Sequence, residues 1–127
     1  MEKERESKVP VFELNYKIWL STPDGKGILG DGKWKVLKTI EETGSLKAAC
    51  DAMGYTYRKT WANLKKIEEM LNISLLEKQR GGKTGGRTTL TREGKRLVKA
   101  FTDFHTSVDE KIKSDLEKLK KELFEER

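Results

Sequence analysis

The stretch from Gly44 to Arg87 constrains the fold of this chain more than any other part of it. It contains two short helical patterns separated by Gly54, followed by two strand patterns that flank a glycine-rich basic loop. Ser45 and Thr56 are predicted to cap the two helices, because hydroxyl side chains are favoured at helix N-termini. Two helices joined by a tight turn and followed by a hairpin are typical of a winged helix-turn-helix, which places one helix in the DNA major groove.

The residues before this stretch predict a β-hairpin and one further helix. Apolar residues alternate with polar ones from Phe12 to Leu20, which predicts a strand. Pro23-Asp24-Gly25 predicts a turn, and Ile28-Leu29 a short return strand. Asp31 is the expected N-cap of the next helix, which we expect to end at Gly44.

The residues after Arg92 predict one long helix. Apolar side chains recur there about every 3.7 residues, close to the period of an α-helix. They are Leu97, Phe101, Phe104, Val108, Ile112, Leu116, Leu119 and Leu123. Such a helix is roughly 50 Å long at 1.5 Å per residue, too long to bury its far half against a small domain. We therefore expect it to pair with the same helix of a second subunit; the alternative is a solvated tail.

The predicted fold is mainly α with a small β component: a winged helix-turn-helix with an N-terminal β-hairpin and a long C-terminal helix. We expect a disordered tail at residues 1–10, a DNA-binding domain at 11–96 and a dimerisation helix at 97–127.

Positive charge is concentrated in one part of the chain. Between Thr56 and Arg96 there are eleven Lys or Arg residues and four Glu residues, whereas the whole chain carries a net charge of +6. The remainder is therefore close to neutral. A local excess of this kind suits a polyanion, because neutralised phosphates release condensed counterions. The alternative is a basic surface that is merely solvated.

The composition argues against several other classes of protein. One cysteine, Cys50, and one histidine, His105, permit neither an intrachain disulfide nor a Cys/His zinc site. No catalytic set of side chains is recognisable, so we expect no enzyme activity, no metal and no cofactor. A charged N-terminus and the lack of a long apolar run predict a cytoplasmic protein without a membrane segment.

The second helix of the pair carries the residues expected to contact bases. Arg58 and Asn63 have side chains that bond guanine and adenine edges, and Lys59 and Tyr57 can reach bases, sugars or phosphates. Ser45 and Thr56 stand at helix N-termini, where they either bind phosphate or only cap their helices. Trp61 shares the apolar stripe of Leu64, which favours a place in the core over a DNA contact.

The loop from Arg80 to Arg87 is the predicted wing tip. It combines four glycines with the cations Arg80, Lys83 and Arg87, and we include Thr84 among the candidate DNA contacts. The alternative is a solvated hairpin loop. Gly82-Lys83-Thr84 is similar to the end of a phosphate-binding P-loop, but that motif requires glycine where Glu77 stands, and it precedes a helix rather than a strand.

These motifs resemble the N-terminal DNA-binding domain of the ModE-type molybdate-responsive regulators. The matching runs are Thr43 to Leu46, Gly54 to Trp61, Gly81 to Gly86 and Leu90 to Gly94, and the similarity extends roughly from Asp31 to Phe104. LysR-type domains share the wider frame, but the Tyr-basic-x-x-Trp helix and the GGKTGG wing are more specific to the ModE type.

The resemblance implies a dimer that reads a palindromic operator. It assigns recognition-helix contacts to Thr56 through Lys59 with Asn63, and a wing contact to Lys83. ModE-type regulators usually continue into a molybdate-binding region of small β-barrels. This chain ends in a charged helix, so we expect neither a ligand-sensing domain nor inherited molybdate sensing.

The leading hypothesis is therefore a homodimeric, sequence-specific regulator of transcription that binds double-stranded DNA. One alternative is a low-specificity architectural protein that coats or bridges DNA. Another is a protein-interaction adaptor whose winged domain does not bind DNA, against which the concentrated positive charge argues.

Overall fold

A computed structural model describes residues 11–79 and 87–125 of the 127-residue chain. Two short hairpins and four helices account for its regular structure. The elements in chain order are β1 (Leu20–Ser21), β2 (Gly27–Leu29), α1 (Asp31–Thr43), α2 (Leu46–Met53), α3 (Tyr57–Leu71), β3 (Leu76–Gln79), β4 (Arg87–Leu90) and α4 (Arg92–Lys120). A π-helical turn, Lys121–Glu125, follows α4. The predicted mainly α fold with an N-terminal hairpin and a long C-terminal helix is confirmed.

The described residues form two compact units. The larger unit contains residues 17–103, and the smaller contains residues 11–16 together with residues 104–125. The sequence-based division into a tail, residues 11–96 and residues 97–127 stays a prediction. Within the described ranges, no helix has both the length and the apolar character needed to cross a membrane.

The core of the larger unit collects the apolar faces of all its elements. Val36, Leu37 and Ile40 of α1 are buried against Leu64 and Ile67 of α3, and each is at most 1% exposed. The other buried apolar residues are Leu29, Leu46, Ala49, Cys50, Leu75, Leu76, Leu90, Val98 and Phe101. Contributions from both hairpins and from the first turns of α4 make this a single core, which holds the helices at fixed positions.

The helix ends follow the predicted signals with two exceptions. Gly44, Gly54 and Asn72 adopt the left-handed conformation that ends α1, α2 and α3. The prediction for Asp31 is wrong: α1 is capped by Gly30, and Asp31 is its first helical residue. There its carboxylate lies near the positive end of the helix dipole. Thr56 occupies the N-cap of α3, but its side chain makes no capping hydrogen bond.

The predicted strand from Phe12 to Leu20 is also wrong over most of its length. Only Leu20–Ser21 pairs with β2, and residues 11–19 have no regular structure. Phe12 instead lies 6.1 Å from the ring of Phe124, and the Tyr16 hydroxyl donates a hydrogen bond to Asp109. Residues 11–19 thus lack the ladder of backbone hydrogen bonds that defines a strand, and these two side-chain contacts are made instead.

Residues Leu90 to Gly94 connect the second hairpin to the long helix α4. Thr91 caps α4, since its hydroxyl accepts a hydrogen bond from the Gly94 N–H at 2.9 Å and donates one to the Ser74 carbonyl. The Thr91 N–H also donates to the Leu75 carbonyl at 2.8 Å. A Cβ at Gly94 would lie 2.5 Å from that same carbonyl oxygen, so this close approach of helix to strand requires glycine.

Candidate nucleic-acid interface

Helices α2 and α3 form the predicted helix-turn-helix. Gly54 ends α2 with a positive φ of 71°, and the Tyr55 N–H donates to the Cys50 carbonyl at 3.0 Å, which closes the turn. Helix α3 buries Thr60, Leu64 and Ile67 against the core. Its N-terminal turn is exposed and therefore available to a ligand.

The predicted base-contacting residues lie on the uncovered side of α3. Tyr57, Arg58 and Lys59 are exposed in the first turn, and Asn63 is half-buried one turn further along. A groove of about 350 Å³ adjoins Lys59 and Asn63, but not Tyr57 or Arg58. Its lining residues are Gly54, Tyr55, Thr56, Lys59, Thr60 and Asn63. The arrangement presents cations, an amide and hydroxyl groups together, which are the groups that bond base edges and phosphates.

The two hydroxyl residues at the helix N-termini differ in their bonding. The Ser45 side chain accepts a hydrogen bond from the Ala48 N–H at 2.9 Å, so it caps α2. Thr56 has an exposed side chain that makes no capping bond. Its backbone carbonyl instead receives the Thr60 N–H at 3.1 Å. Of the two, Thr56 is the residue that lines the groove at the start of α3.

Lys78 of β3 links the hairpin to α3. Its ammonium lies 4.5 Å from the centre of the Trp61 ring and 5.7 Å from that of Tyr57. Lys65, one turn further along α3, lies 5.2 Å from the centre of the same Trp61 ring. Cations over aromatic faces are attracted by the ring quadrupole, so the two contacts of Lys78 help to hold the hairpin beside the helix. Trp61 itself is partly buried and packs against the core, as expected.

Glu68 fixes the start of the hairpin to the end of α3. One carboxylate oxygen accepts hydrogen bonds from the Leu75 N–H at 2.6 Å and the Leu76 N–H at 3.1 Å, and the other lies 2.8 Å from the Lys65 ammonium. Burial raises the pKa of Glu68, but the bonds from Lys65 and from the two amides outweigh it, and the net pKa is below the usual 4.5.

Arg87 is the one predicted wing cation that the structure describes. It begins β4 and pairs with Gln79, and its guanidinium lies against Gly44 at the C-terminal end of α1. Cations are favoured beside a helix C-terminus, so this contact stabilises the junction of hairpin and helix. Arg80, Lys83 and Thr84, the remaining predicted wing residues, lie outside the described residues.

Sequence reasoning missed Lys78 and Glu68 as parts of this interface. Lys78 follows the apolar start of β3, and an exposed strand cation beside an aromatic-rich helix was the available signal. No sequence signal identifies Glu68, because its partners are backbone amides seven and eight residues later. They reach it only through the bend at Asn72, whose φ is 55°.

Comparison with known proteins shows which family the helix-turn-helix region resembles. Residues 32–95 match the sequence profile described as the bacterial regulatory helix-turn-helix protein, lysR family. The Transcriptional regulator ModE of Haemophilus influenzae is 30% identical over 89 residues, which is 64% of this chain and 35% of that protein. The DNA-binding transcriptional dual regulator ModE of Escherichia coli is 32% identical over 66 residues, covering 52% of this chain and 25% of that protein.

The Molybdenum-pterin-binding protein MopB of Rhodobacter capsulatus is 30% identical over 90 residues, covering 71% of this chain and 33% of that protein. The chain thus spans between a quarter and about a third of the length of these three relatives. They confirm the resemblance to the ModE-type N-terminal region. The profile match covers half of the chain, which therefore belongs to the bacterial regulatory helix-turn-helix proteins of the lysR family.

Proposed function

We propose that this chain is a sequence-specific, DNA-binding regulator of transcription that acts as a homodimer. The observation that carries the proposal is the exposed N-terminal turn of α3, in a chain of the lysR helix-turn-helix family. Tyr57, Arg58 and Lys59 are exposed on this turn, beside a groove that Lys59 and Asn63 help to line. The N-terminal turn of a recognition helix is the part that meets base edges in the major groove.

The groups on α3 divide by the contact each can make. Arg58 has a planar fork of donors for guanine O6 and N7, and Asn63 has the amide that bonds adenine N6 and N7. Lys59 and the Tyr57 hydroxyl suit phosphate oxygens, which set the register of the helix on the duplex. Thr56 and Ser45 belong to the same phosphate-contacting set, although Ser45 must share its oxygen with the Ala48 N–H.

The hairpin would act as the wing. Lys78 and Glu68 hold β3 beside α3, so the first strand of the hairpin has a fixed position next to the recognition helix. In the proposal, Arg80, Lys83, Thr84 and Arg87 contribute wing contacts to the DNA backbone or minor groove. Rigid attachment favours a defined spacing between helix and wing contacts, which sequence-specific binding requires.

The homodimer proposal rests on the apolar stripe of α4. Within the smaller unit, Phe104 is 51% exposed, Leu119 is 46% exposed, and Leu123 in the following turn is 55% exposed. These residues belong to a stripe with a helical period, and a second copy of the helix would cover it. Two-fold symmetry would then present two recognition helices to half-sites one helical turn of DNA apart, or a multiple of it.

A binding measurement tests the DNA-reading part. Genomic fragments selected by the wild-type chain are titrated with Arg58→Ala and with the charge-matched control Lys111→Ala, whose residue lies on α4 and pairs with Asp115. We expect Arg58→Ala to weaken binding to selected fragments by about 1–3 kcal/mol and to relax preference at one base position. Equal affinity of the wild-type chain for selected and random fragments at every salt concentration would contradict sequence specificity.

Sedimentation equilibrium tests the dimer. The wild-type chain is expected to sediment as a dimer at micromolar concentration, and Phe104→Glu with Leu119→Glu as a monomer. Thr106→Glu is the matched control, because this exposed residue lies on the opposite side of α4 from Phe104. A monomeric wild-type chain would contradict the homodimer without touching the DNA-reading proposal.

The concentrated positive charge also suits the architectural alternative, in which the protein coats DNA without reading it. Footprinting distinguishes the two functions. An architectural protein would protect DNA uniformly, whereas a sequence-specific regulator would give a discrete footprint. The expectation that no ligand-sensing domain accompanies this chain stays a prediction.

A further inference from the structure

A second groove, rich in lysine, lies beside the middle of α3 and adjoins the predicted base contact Asn63. It has a volume of about 530 Å³ and is formed by the β1–β2 hairpin, the first turn of α1 and the middle of α3. Lys26, Lys33 and Lys66 each contribute an amine, whereas Glu69 contributes one carboxylate. The groove therefore carries an excess of two positive charges, and it lies entirely within the larger unit.

The hairpin that carries Lys26 is held in a defined conformation. The Lys26 N–H donates to the Thr22 hydroxyl at 3.0 Å, and the Thr22 N–H donates to the Lys26 carbonyl at 2.8 Å. Gly25 takes a positive φ of 92° inside this turn. Because the turn is closed by its own hydrogen bonds, the backbone that carries Lys26 is fixed beside the groove before a ligand binds.

The groove continues the proposed DNA surface. Asn63 lines both this groove and the smaller groove at the start of α3. The two grooves together bring Lys59, Asn63 and Lys66 into one line along the helix. From Lys59 to Lys66 the helix rises about 10 Å at 1.5 Å per residue. One strand of B-DNA carries about three phosphates over that length of its axis.

We propose that this groove binds the phosphate backbone of the DNA strand that borders the recognition helix, with Lys26, Lys33 and Lys66 as its contacts. The inference rests on the proposed function and extends it, because it makes the N-terminal hairpin a third DNA-contacting element beside the helix and the wing. Phosphate contacts of this kind carry charge but no sequence information. They therefore raise affinity for operator and unrelated DNA alike.

The test is the salt dependence of DNA affinity. Lys26→Ala with Lys33→Ala removes two groove cations, and Lys35→Ala with Lys111→Ala removes two exposed cations outside it. For the groove variant we expect roughly tenfold weaker binding to both operator and unrelated DNA, and a salt slope smaller by about two. The control variant is expected to retain most of both quantities, and Lys26→Arg with Lys33→Arg to retain wild-type binding.

A second variant adds charge without removing a lysine. A Cβ at Gly27 meets no atom within 4 Å, and Gly27 lines the groove, so Gly27→Glu adds a carboxylate there. It is expected to weaken DNA binding, whereas Gly27→Ala is not.

The results of these experiments distinguish failure of the groove proposal from failure of the proposed function on which it rests. Failure of the wild-type chain to bind DNA would contradict the proposed function. DNA binding that depends on Arg58 but is equal in the groove and control variants would overturn the groove alone. Calorimetric binding of inorganic phosphate that is lost in the groove variant, with DNA affinity unchanged, would likewise overturn it in favour of a site for free anions.

Discussion

Replacing Glu68 by alanine tests how the hairpin is held beside the recognition helix. The carboxylate is the hydrogen-bond acceptor for the Leu75 and Leu76 N–H groups at 2.6 Å and 3.1 Å, and its side chain is only 11% exposed. In Glu68→Ala both amides lose this acceptor at the edge of the core. Leu75 is fully buried and Leu76 is 7% exposed, so water has restricted access to them.

The expected cost follows from those two bonds. A hydrogen bond to a charged acceptor contributes about 1.5–3 kcal/mol, and a buried donor left without a partner costs about 1–3 kcal/mol. Because the two amides share one carboxylate, we expect Glu68→Ala to lower the free energy of unfolding by about 2–4 kcal/mol. Glu68→Gln keeps one acceptor oxygen and should lose less.

Urea unfolding followed by circular dichroism measures this cost, with Glu69→Ala as the control. Glu69 is the exposed neighbour on the same helix, so its replacement removes the same charge and should change the free energy of unfolding by less than about 0.5 kcal/mol. Equal stability of the two variants would refute the role of Glu68. So would a Glu68→Ala variant that keeps wild-type DNA affinity, since the wing would then not depend on this anchor.

The pH dependence gives a second measurement on the same side chain. The pKa of Glu68 is lower in the folded state than the usual 4.5, so its carboxylate stabilises the fold at pH values above about 4.5. That contribution is lost as the pH falls through the lower folded-state pKa. The difference in stability between wild type and Glu68→Gln should therefore shrink on acidification, and a difference that is constant from pH 7 to pH 3 would contradict the pairing.

Three further predictions follow from single contacts. Gly94→Ala should destabilise the fold by about 1–3 kcal/mol, because its Cβ would meet the Leu75 carbonyl at 2.5 Å, whereas Gly27→Ala meets no atom; equal melting temperatures would contradict this. Ser45→Ala should cost about 1 kcal/mol through loss of the bond from the Ala48 N–H, and Thr56→Ala less, as measured by urea unfolding. Tyr16→Phe should raise the pKa of Asp109 towards its usual 3.8 in an NMR titration, because the Tyr16 hydroxyl is the main group that lowers it; an unchanged pKa would exclude the bond.

The helical part of the fold was predictable because local rules and packing agree there. Apolar residues at helical spacing identified α1 to α4, and Gly44, Gly54 and Asn72 marked helix ends where a left-handed residue is needed. Ser45 was recognised as a cap because hydroxyl side chains are favoured at helix N-termini. The strand predicted from Phe12 to Leu20 was wrong because alternation alone does not supply a pairing partner: β2 is only three residues long and pairs with Leu20–Ser21 alone.

The interface was predictable only where its residues are close in sequence. Tyr57, Arg58 and Lys59 share one helical turn, so their grouping followed from the helix itself. Lys26 and Lys33 meet Lys66 only through the packing of the hairpin and α1 against α3, and no local pattern indicates that convergence. Lys78 reaches Trp61 from another element by the same kind of tertiary contact.

Footprinting on a genomic fragment selected by the wild-type chain tests the central claim most directly. The account predicts a discrete footprint with two symmetric half-sites, whose centres are separated by about 10–10.5 base pairs or a multiple of that spacing. Arg58→Ala should weaken this footprint, and Lys111→Ala should leave it in place. Uniform protection of the fragment, or no protection at low salt, would contradict the claim that α3 reads a DNA sequence.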